Sequence, residues 1–144
     1  MKEADLICGW FKKAEDDLRI ADYALDEAYP KLIEIACFHY QQAVEKSLKG
    51  FLVSCGLAPP KTHNLIPLCQ MFSEHDPAFS AIQSACEELN LYSVSTRYPE
   101  NDEITEGDAV IAKKEAKKAY VFCVDLISKL QQEQEIKQST EQSI

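Results

Sequence analysis

The feature that most constrains this chain is the helical spacing of its apolar residues. In three long stretches apolar side chains recur at intervals of three and four, which places them on one face of an α-helix. No useful length alternates apolar and polar residues, as a half-buried strand would. The chain is therefore predicted to be all-α, an antiparallel bundle of about five helices, three long and two short.

Breaks and capping residues set the predicted helix ends. Pro30 and Gly56 end the first two helices, because proline cannot continue a helix and glycine suits its C-terminus. The expected helices cover about residues 4–28, 33–56, 65–72, 77–91 and 105–130. The expected N-terminal caps are Asn64, Asp76 and the capping-box pair Thr105 and Asp108. Residues 1–130 are predicted to form one domain, with a connecting loop over 93–104 and a polar, disordered tail over 131–144.

The overall charge restricts which partners the chain can have. Its 15 Lys and Arg residues oppose 24 Asp and Glu residues, giving a formal net charge of −9. Nucleic-acid affinity comes largely from neutralising phosphates, so a chain this acidic does not coat RNA or DNA nonspecifically. Any nucleic-acid binding is expected to be local.

The N-terminus and the cysteines predict a cytoplasmic protein. Acidic residues stand where a secretory signal would have a positive region and a long apolar stretch. No apolar run approaches the roughly 18 residues that a membrane span requires, so no membrane association is predicted. The six cysteines include no C-x-x-C pair and mostly fall on apolar helical faces. We expect them to be buried, free thiols in a reducing compartment.

Several cofactor classes are excluded by residue spacing. Four scattered glycines cannot build a P-loop or a Rossmann turn, and no glutamate has histidine three residues later, as a di-iron bundle requires. His63, Cys69 and His75 are spaced by six and six and lack a fourth ligand, so they do not form a usual metal site. The sequence predicts no metal and no cofactor.

A row of polar residues on the second helix does not match its apolar face. His39, Gln42, Lys46 and Lys49 recur at three, four and three, with Glu45 beside them. Such a row is usually a solvated helix face, which is the favoured interpretation, and the alternative is that it lines a cleft or a dimer seam. His63, before the third helix, is interpreted first as a ring bonded to a nearby carbonyl and second as a catalytic base.

Arg97 and Tyr98 form the most informative part of the predicted loop. An arginine beside an aromatic residue often anchors a loop to a carboxylate, with Glu45 as a candidate partner. Loops on rigid helical scaffolds are also where binding sites lie. The two interpretations carry equal weight.

Three segments, residues 38–49, 62–65 and 96–99, read FHYQQAVEKSLK, THNL and TRYP in that order. Together they resemble the HEPN family of nucleotide-binding helical domains over roughly residues 4–130. The resemblance implies an all-helical homodimer, often made beside a minimal nucleotidyltransferase as a toxin–antitoxin-like pair. It also implies a nucleotide or RNA as the ligand.

Many HEPN members are metal-independent ribonucleases, and the resemblance makes Arg97 the candidate catalytic residue. Their signature continues with a histidine after four to six residues, but the matching positions here are Asp102, Glu103 and Ile104. A carboxylate near a phosphodiester repels it, whereas an imidazole can move a proton near neutral pH. The departure argues against strong catalysis.

We therefore expect a homodimeric module that binds a nucleotide or a minimal nucleotidyltransferase. The candidate ligand-binding residues are His39, Glu45, Lys46, Lys49, Arg97 and Tyr98. One alternative is a ribonuclease that uses Arg97 with His39 or His63 in place of the missing histidine. Another is a purely structural interaction domain.

Overall fold

Helices form the regular secondary structure of residues 2–93 and 103–142, the part of the chain that the computed structural model describes. Its five α-helices are α1 (Glu3–Asp22), α2 (Ile33–Ser54), α3 (Leu65–His75), α4 (Gln83–Leu89) and α5 (Glu106–Gln142). A π-helical turn, Tyr23–Glu27, extends α1, and the 3₁₀ turns Pro77–Ala81 and Asn90–Ser93 flank α4. The prediction of an all-α bundle with three long helices is confirmed.

α1 and α2 form an antiparallel pair that is closely packed. A Cβ atom at Gly50 would lie 2.7 Å from Cε2 of Phe11, so the absence of a side chain at Gly50 permits this approach. The π turn ends with a 2.9 Å hydrogen bond from the Ala28 N–H to the Tyr23 carbonyl, before Pro30 as predicted. The predicted apolar face of α1 supplies the buried residues Phe11, Ala14, Ala21 and Leu25.

The end of α2 confirms the predicted glycine terminus. Gly56 has a φ of +78°, which glycine adopts without steric cost. Its N–H bonds the Val53 carbonyl at 2.9 Å, and the Leu57 N–H bonds the Leu52 carbonyl at 3.0 Å. These are the two bonds of a Schellman motif, and they turn the chain toward α3.

α2 is the central helix of the bundle. The other four α-helices pack against it, and residues 40–45 and 47–52 are all buried. A helix packed in this way has little solvated surface over residues 40–52. Any polar side chain on its inner faces must therefore find a protein partner.

The predicted fourth helix, residues 77–91, is divided into three pieces. Asp76 caps the start as expected, accepting a 2.9 Å bond from the Ala78 N–H, but Ile82 takes φ −120° and ψ 9° and interrupts the helix. In a 3₁₀ turn residues three apart eclipse, so Phe79 and Ile82 both point into the core. The predicted Asn64 cap of α3 is confirmed by a 3.0 Å bond from the Ile66 N–H.

α5 begins where predicted and ends later. The Thr105 N–H bonds the Asp108 carboxylate at 2.9 Å, and the Asp108 N–H bonds the Thr105 hydroxyl at 3.1 Å, which completes the capping box. The predicted end near Leu130 is wrong, because the helix continues to Gln142. Residues 131–142, expected as a disordered tail, are rich in Gln and Glu, which are good helix formers.

Ion pairs and a tyrosine hydrogen bond connect α1, α2 and α5. Asp22 accepts a hydrogen bond from the Tyr40 hydroxyl at 2.5 Å and one from Lys117 Nζ at 2.8 Å. Burial alone would raise the pKa of Asp22, but these hydrogen bonds outweigh it and hold that pKa below its ordinary value. Lys113 adds a 2.6 Å contact with Asp26, in the π turn that extends α1.

The thiols follow the prediction in part. Cys37, Cys86 and Cys123 are buried, Cys55 and Cys69 are half-buried, and all six are free. The expectation of burial is wrong for Cys8, because it lies on the exposed side of α1. Across residues 2–93 and 103–142, no helix is both long and apolar enough to span a bilayer.

Candidate functional site

A buried carboxylate on α2 is the centre of the candidate site. The side chain of Glu45 is 1% exposed, and one of its oxygens lies 3.1 Å from Lys46 Nζ and 3.3 Å from Lys49 Nζ. The other oxygen lies 2.9 Å from Nδ1 of His63. We name these four residues the Glu45 cluster. It gathers three cationic or protonatable groups around one anion.

Two glutamines extend the cluster toward the N-terminus of α2. Gln41 Nε2 donates to the His63 carbonyl at 2.8 Å, and Gln42 Nε2 donates to Gln41 Oε1 at 2.8 Å. Lys46 Nζ donates to Gln42 Oε1 at 3.1 Å, which closes the network. Within the described residues, every buried side-chain nitrogen and oxygen has a hydrogen-bond partner. A fully satisfied buried network holds its members in one arrangement.

The chain brings His63 to α2 through the connection after Gly56. Gln41 and Glu45 are one helical turn apart, so both reach the same neighbour, one at its backbone and the other at its ring. The Thr62 hydroxyl accepts a 3.0 Å bond from the Asn64 N–H and fixes the turn into α3. His63 is therefore positioned by both its main chain and its side chain.

The electrostatics of the cluster favour an ionised carboxylate. Burial alone would raise the pKa of Glu45, but the Lys46 ammonium, the His63 hydrogen bond and the Lys49 ammonium outweigh it and hold that pKa below its ordinary value. Two ammonium groups against one carboxylate leave a local charge of +1 before His63 is counted. The cluster is thus locally positive in a chain of net charge −9.

The His63 ring is oriented by the buried carboxylate. An ionised carboxylate only accepts hydrogen bonds, so Nδ1 of His63 is the donor and Nε2 of the neutral ring is left as an acceptor. The side chain is 68% exposed, which leaves the rest of the ring accessible. A carboxylate that holds Nδ1–H and leaves Nε2 free is the arrangement in which histidine acts as a general base.

The structure brings together part of the predicted set. Glu45, Lys46 and Lys49 meet in the cluster, whereas His39 turns to α1, where its Nδ1 lies 2.8 Å from Asp17. The interpretation of this row as a solvated face is wrong, because Gln42, Glu45 and Lys49 are buried between α2 and its neighbours. The proposed carbonyl partner of the His63 ring is also wrong, because that partner is the Glu45 carboxylate.

Arg97 and Tyr98 lie outside the described residues, as do Asp102 and the proposed pairing of Arg97 with Glu45. Their roles stay predictions from the sequence. Among the described residues, no group of three or more His, Cys, Asp and Glu side chains is placed to hold a metal ion.

Sequence reasoning missed Gln41 and the burial of Gln42, Glu45 and Lys49 in the polar row. A signal was present in the small residues Ala43, Ser47 and Gly50, which recur at helical spacing on a second face of α2. Small residues allow close helix approach, as the contact of Gly50 with Phe11 shows. A helix with two close-packed faces is buried, and its polar residues then need internal partners.

Comparison with known proteins finds a matching family model and similar solved structures. A family model described as "HEPN domain" matches residues 8–131. The crystal structure of TT1696 from Thermus thermophilus is similar with a TM-score of 0.72 and 26% identity, over 83% of this chain and 96% of that one. ST0689, an archaeal HEPN homologue, is similar with a TM-score of 0.65 and 28% identity, over 84% and 97% of the two chains. No curated protein matches the chain at a significant level.

Proposed function

Because the chain belongs to the HEPN family, we propose that it acts as a homodimeric module that binds a nucleotide or a minimal nucleotidyltransferase partner. In this proposal it is one half of a toxin–antitoxin-like pair in the cytoplasm and has no strong catalysis of its own. The observation that carries the proposal is the locally positive, partly exposed Glu45 cluster on an otherwise acidic chain.

The cluster has hydrogen-bond donors left for a phosphate. Lys46 Nζ carries three N–H donors and uses two, on Glu45 and Gln42. His63 is accessible beside it and becomes a second cation when protonated. Charge-assisted hydrogen bonds from such groups are stronger than neutral ones, which favours a phosphate over a neutral ligand.

Calorimetry with nucleoside mono- and triphosphates tests nucleotide binding. We expect Lys46→Gln to weaken binding about tenfold or more, because one charge-assisted bond contributes roughly 1.5–3 kcal/mol. Lys114→Gln is the matched control, since it removes the same charge from an exposed position on α5. If both variants weaken nucleotide binding equally, the effect comes from the overall charge of the chain and not from the position of Lys46. If the natural protein binds neither nucleotides nor a co-expressed nucleotidyltransferase, the proposed function is wrong.

Exposed apolar residues support the homodimer. Tyr29, Leu32 and Ile35 are exposed within one short stretch, although apolar side chains of this size usually lie inside. Lys31 in the same stretch pairs with Glu106, one helical turn before the exposed Val110. These positions provide apolar surface for a second copy. Light scattering is expected to give a dimer, and a monomer at high micromolar concentration would contradict it.

A ribonuclease is the second candidate, and the orientation of His63 favours it. In that reaction Nε2 takes the proton of a ribose 2′-hydroxyl, the 2′-oxygen bonds to phosphorus, and the bond to the 5′-oxygen breaks as that oxygen takes a proton from water. Cleavage of RNA by the natural protein that is lost in His63→Ala, and kept in the exposed control His75→Ala, would establish this candidate. Loss of the same cleavage in Arg97→Lys would show that the reaction also needs the predicted arginine.

A further inference from the structure

An open cavity of about 670 Å³ lies between the start of α1, the last turns of α2 and the connection after Gly56. Its walls are mainly apolar, and Pro59 and Pro60 make one side stiff because proline fixes the backbone. The charged residues of its lining are Glu3, Lys49 and Lys61. A cavity of this size and composition is typical of small-molecule sites.

Trp10, the single tryptophan of the sequence, contributes an aromatic surface to this cavity. Its ring is half-buried, and Lys49 Nζ lies 5.5 Å from the ring centroid. An ammonium group at that distance is attracted to the ring face. The cavity therefore has an aromatic surface with a cation beside it.

Lys49 also joins the cavity to the Glu45 cluster. Its Nζ is 3.3 Å from the Glu45 carboxylate, and its side chain is 8% exposed. A ligand in the cavity would thus contact the cation that the cluster holds in place. Lys61, exposed on the connection after Gly56, adds a second ammonium group to the lining.

We propose that this cavity, the Trp10 pocket, binds a free mononucleotide, with the base stacked on Trp10 and the phosphate held by Lys49 and Lys61. The inference rests on the proposed nucleotide binding and adds where the base and the phosphate lie. Every base has a π-face that an aromatic side chain can stack on, and the two ammonium groups complement the charge of a phosphate. Lys49 is also paired with Glu45, but Lys46, Lys49 and Lys61 together carry one more charge than the carboxylates Glu45 and Glu3 beside them.

The tryptophan provides a direct readout. Adenosine monophosphate is titrated into the full-length protein while Trp10 fluorescence is recorded, with ribose 5-phosphate as the ligand that has the phosphate and lacks the base. We expect quenching by the nucleotide and none by the sugar phosphate. Quenching by a short RNA alone, with no response to the mononucleotide, would overturn the proposal in favour of an RNA strand.

Variants separate this pocket from nucleotide binding elsewhere. By calorimetry, Trp10→Leu is expected to weaken binding about tenfold, while Trp10→Phe keeps most of it because a stacking ring remains. Tyr23→Leu removes an exposed aromatic ring outside the pocket and serves as the control. Nucleotide binding with unchanged Trp10 fluorescence and unchanged affinity in Trp10→Leu would overturn the pocket and leave the proposed function standing. No heat of binding in the natural protein would overturn both.

Discussion

Replacing Glu45 by glutamine tests whether the buried network stabilises the fold. The substitution keeps the shape and removes the negative charge that pairs with Lys46 and Lys49, whose side chains are 16% and 8% exposed. Removing one partner of a buried ion pair costs about 3–5 kcal/mol, because the remaining charge is left without compensation. Since the free energy of unfolding of a domain is roughly 5–15 kcal/mol, we expect Glu45→Gln to fold but to have a much smaller free energy of unfolding.

Urea unfolding followed by circular dichroism measures this change. With a denaturant slope of about 2 kcal/mol per molar, a loss near 4 kcal/mol lowers the midpoint by about 2 M. Asp16→Asn is the matched control, because the Lys12–Asp16 pair has side chains that are 63% and 50% exposed and solvent screens it. We expect no shift of the midpoint in that variant.

Two further measurements identify the cause. Adding Lys49→Met to Glu45→Gln is expected to recover stability, because it removes one of the uncompensated cations. The two ammonium groups and His63 hold the pKa of Glu45 in the folded protein below its ordinary value, so its contribution is complete above that ordinary value and is lost as the pH falls through the folded pKa. The natural protein and Glu45→Gln should therefore converge in acid. If Glu45→Gln lowers the free energy of unfolding by less than about 1 kcal/mol at pH 7, the reasoning is refuted, because the Glu45 cluster then contributes no more than a surface ion pair.

Three more outcomes follow from packing and exposure. Gly50→Val is expected to destabilise the protein by roughly 1–3 kcal/mol, because its side chain would overlap Phe11. Thermal melting measures this change, and Gly9→Val, which has open space around it, is the control. A thiol reagent is expected to label Cys8 rapidly and the three buried cysteines only on unfolding; fast labelling of all six would contradict their burial. Ending the chain after Leu130 should leave the melting temperature unchanged, since side chains 131–141 are exposed, and a clear drop would show packing by this segment.

The helices and their caps were predictable because they depend on local chemistry. The spacing of apolar residues, the Gly56 terminus and the Thr105–Asp108 pair each act within a few residues. The end of α5 was not predictable from its apolar stripe, because the stripe stops near Leu130, whereas the helix continues through residues 131–142, which contain no glycine or proline. The division of residues 77–93 depends on how Phe79 and Ile82 reach the core, which is a tertiary requirement.

The candidate site was predictable in its residues and not in its environment. The sequence marked Glu45, Lys46 and Lys49 as a row, but their burial requires that other helices surround α2. His63 joins them from a connection 18 residues away, and no spacing rule links a helix position to such a residue. The pairing of Trp10 with Lys49 across two helices is equally nonlocal.

The π-helical turn at the end of α1 bears on how the length of this chain can vary. A π turn takes five residues between its bonded groups where an α turn takes four, so Tyr23–Glu27 holds one more residue than an α-helix would. The irregular connection over residues 28–32 follows at once. Loss of one codon here would tighten the turn, and the connection would absorb the change in helical phase before α2 begins. We expect gaps in alignments of relatives to gather at this turn.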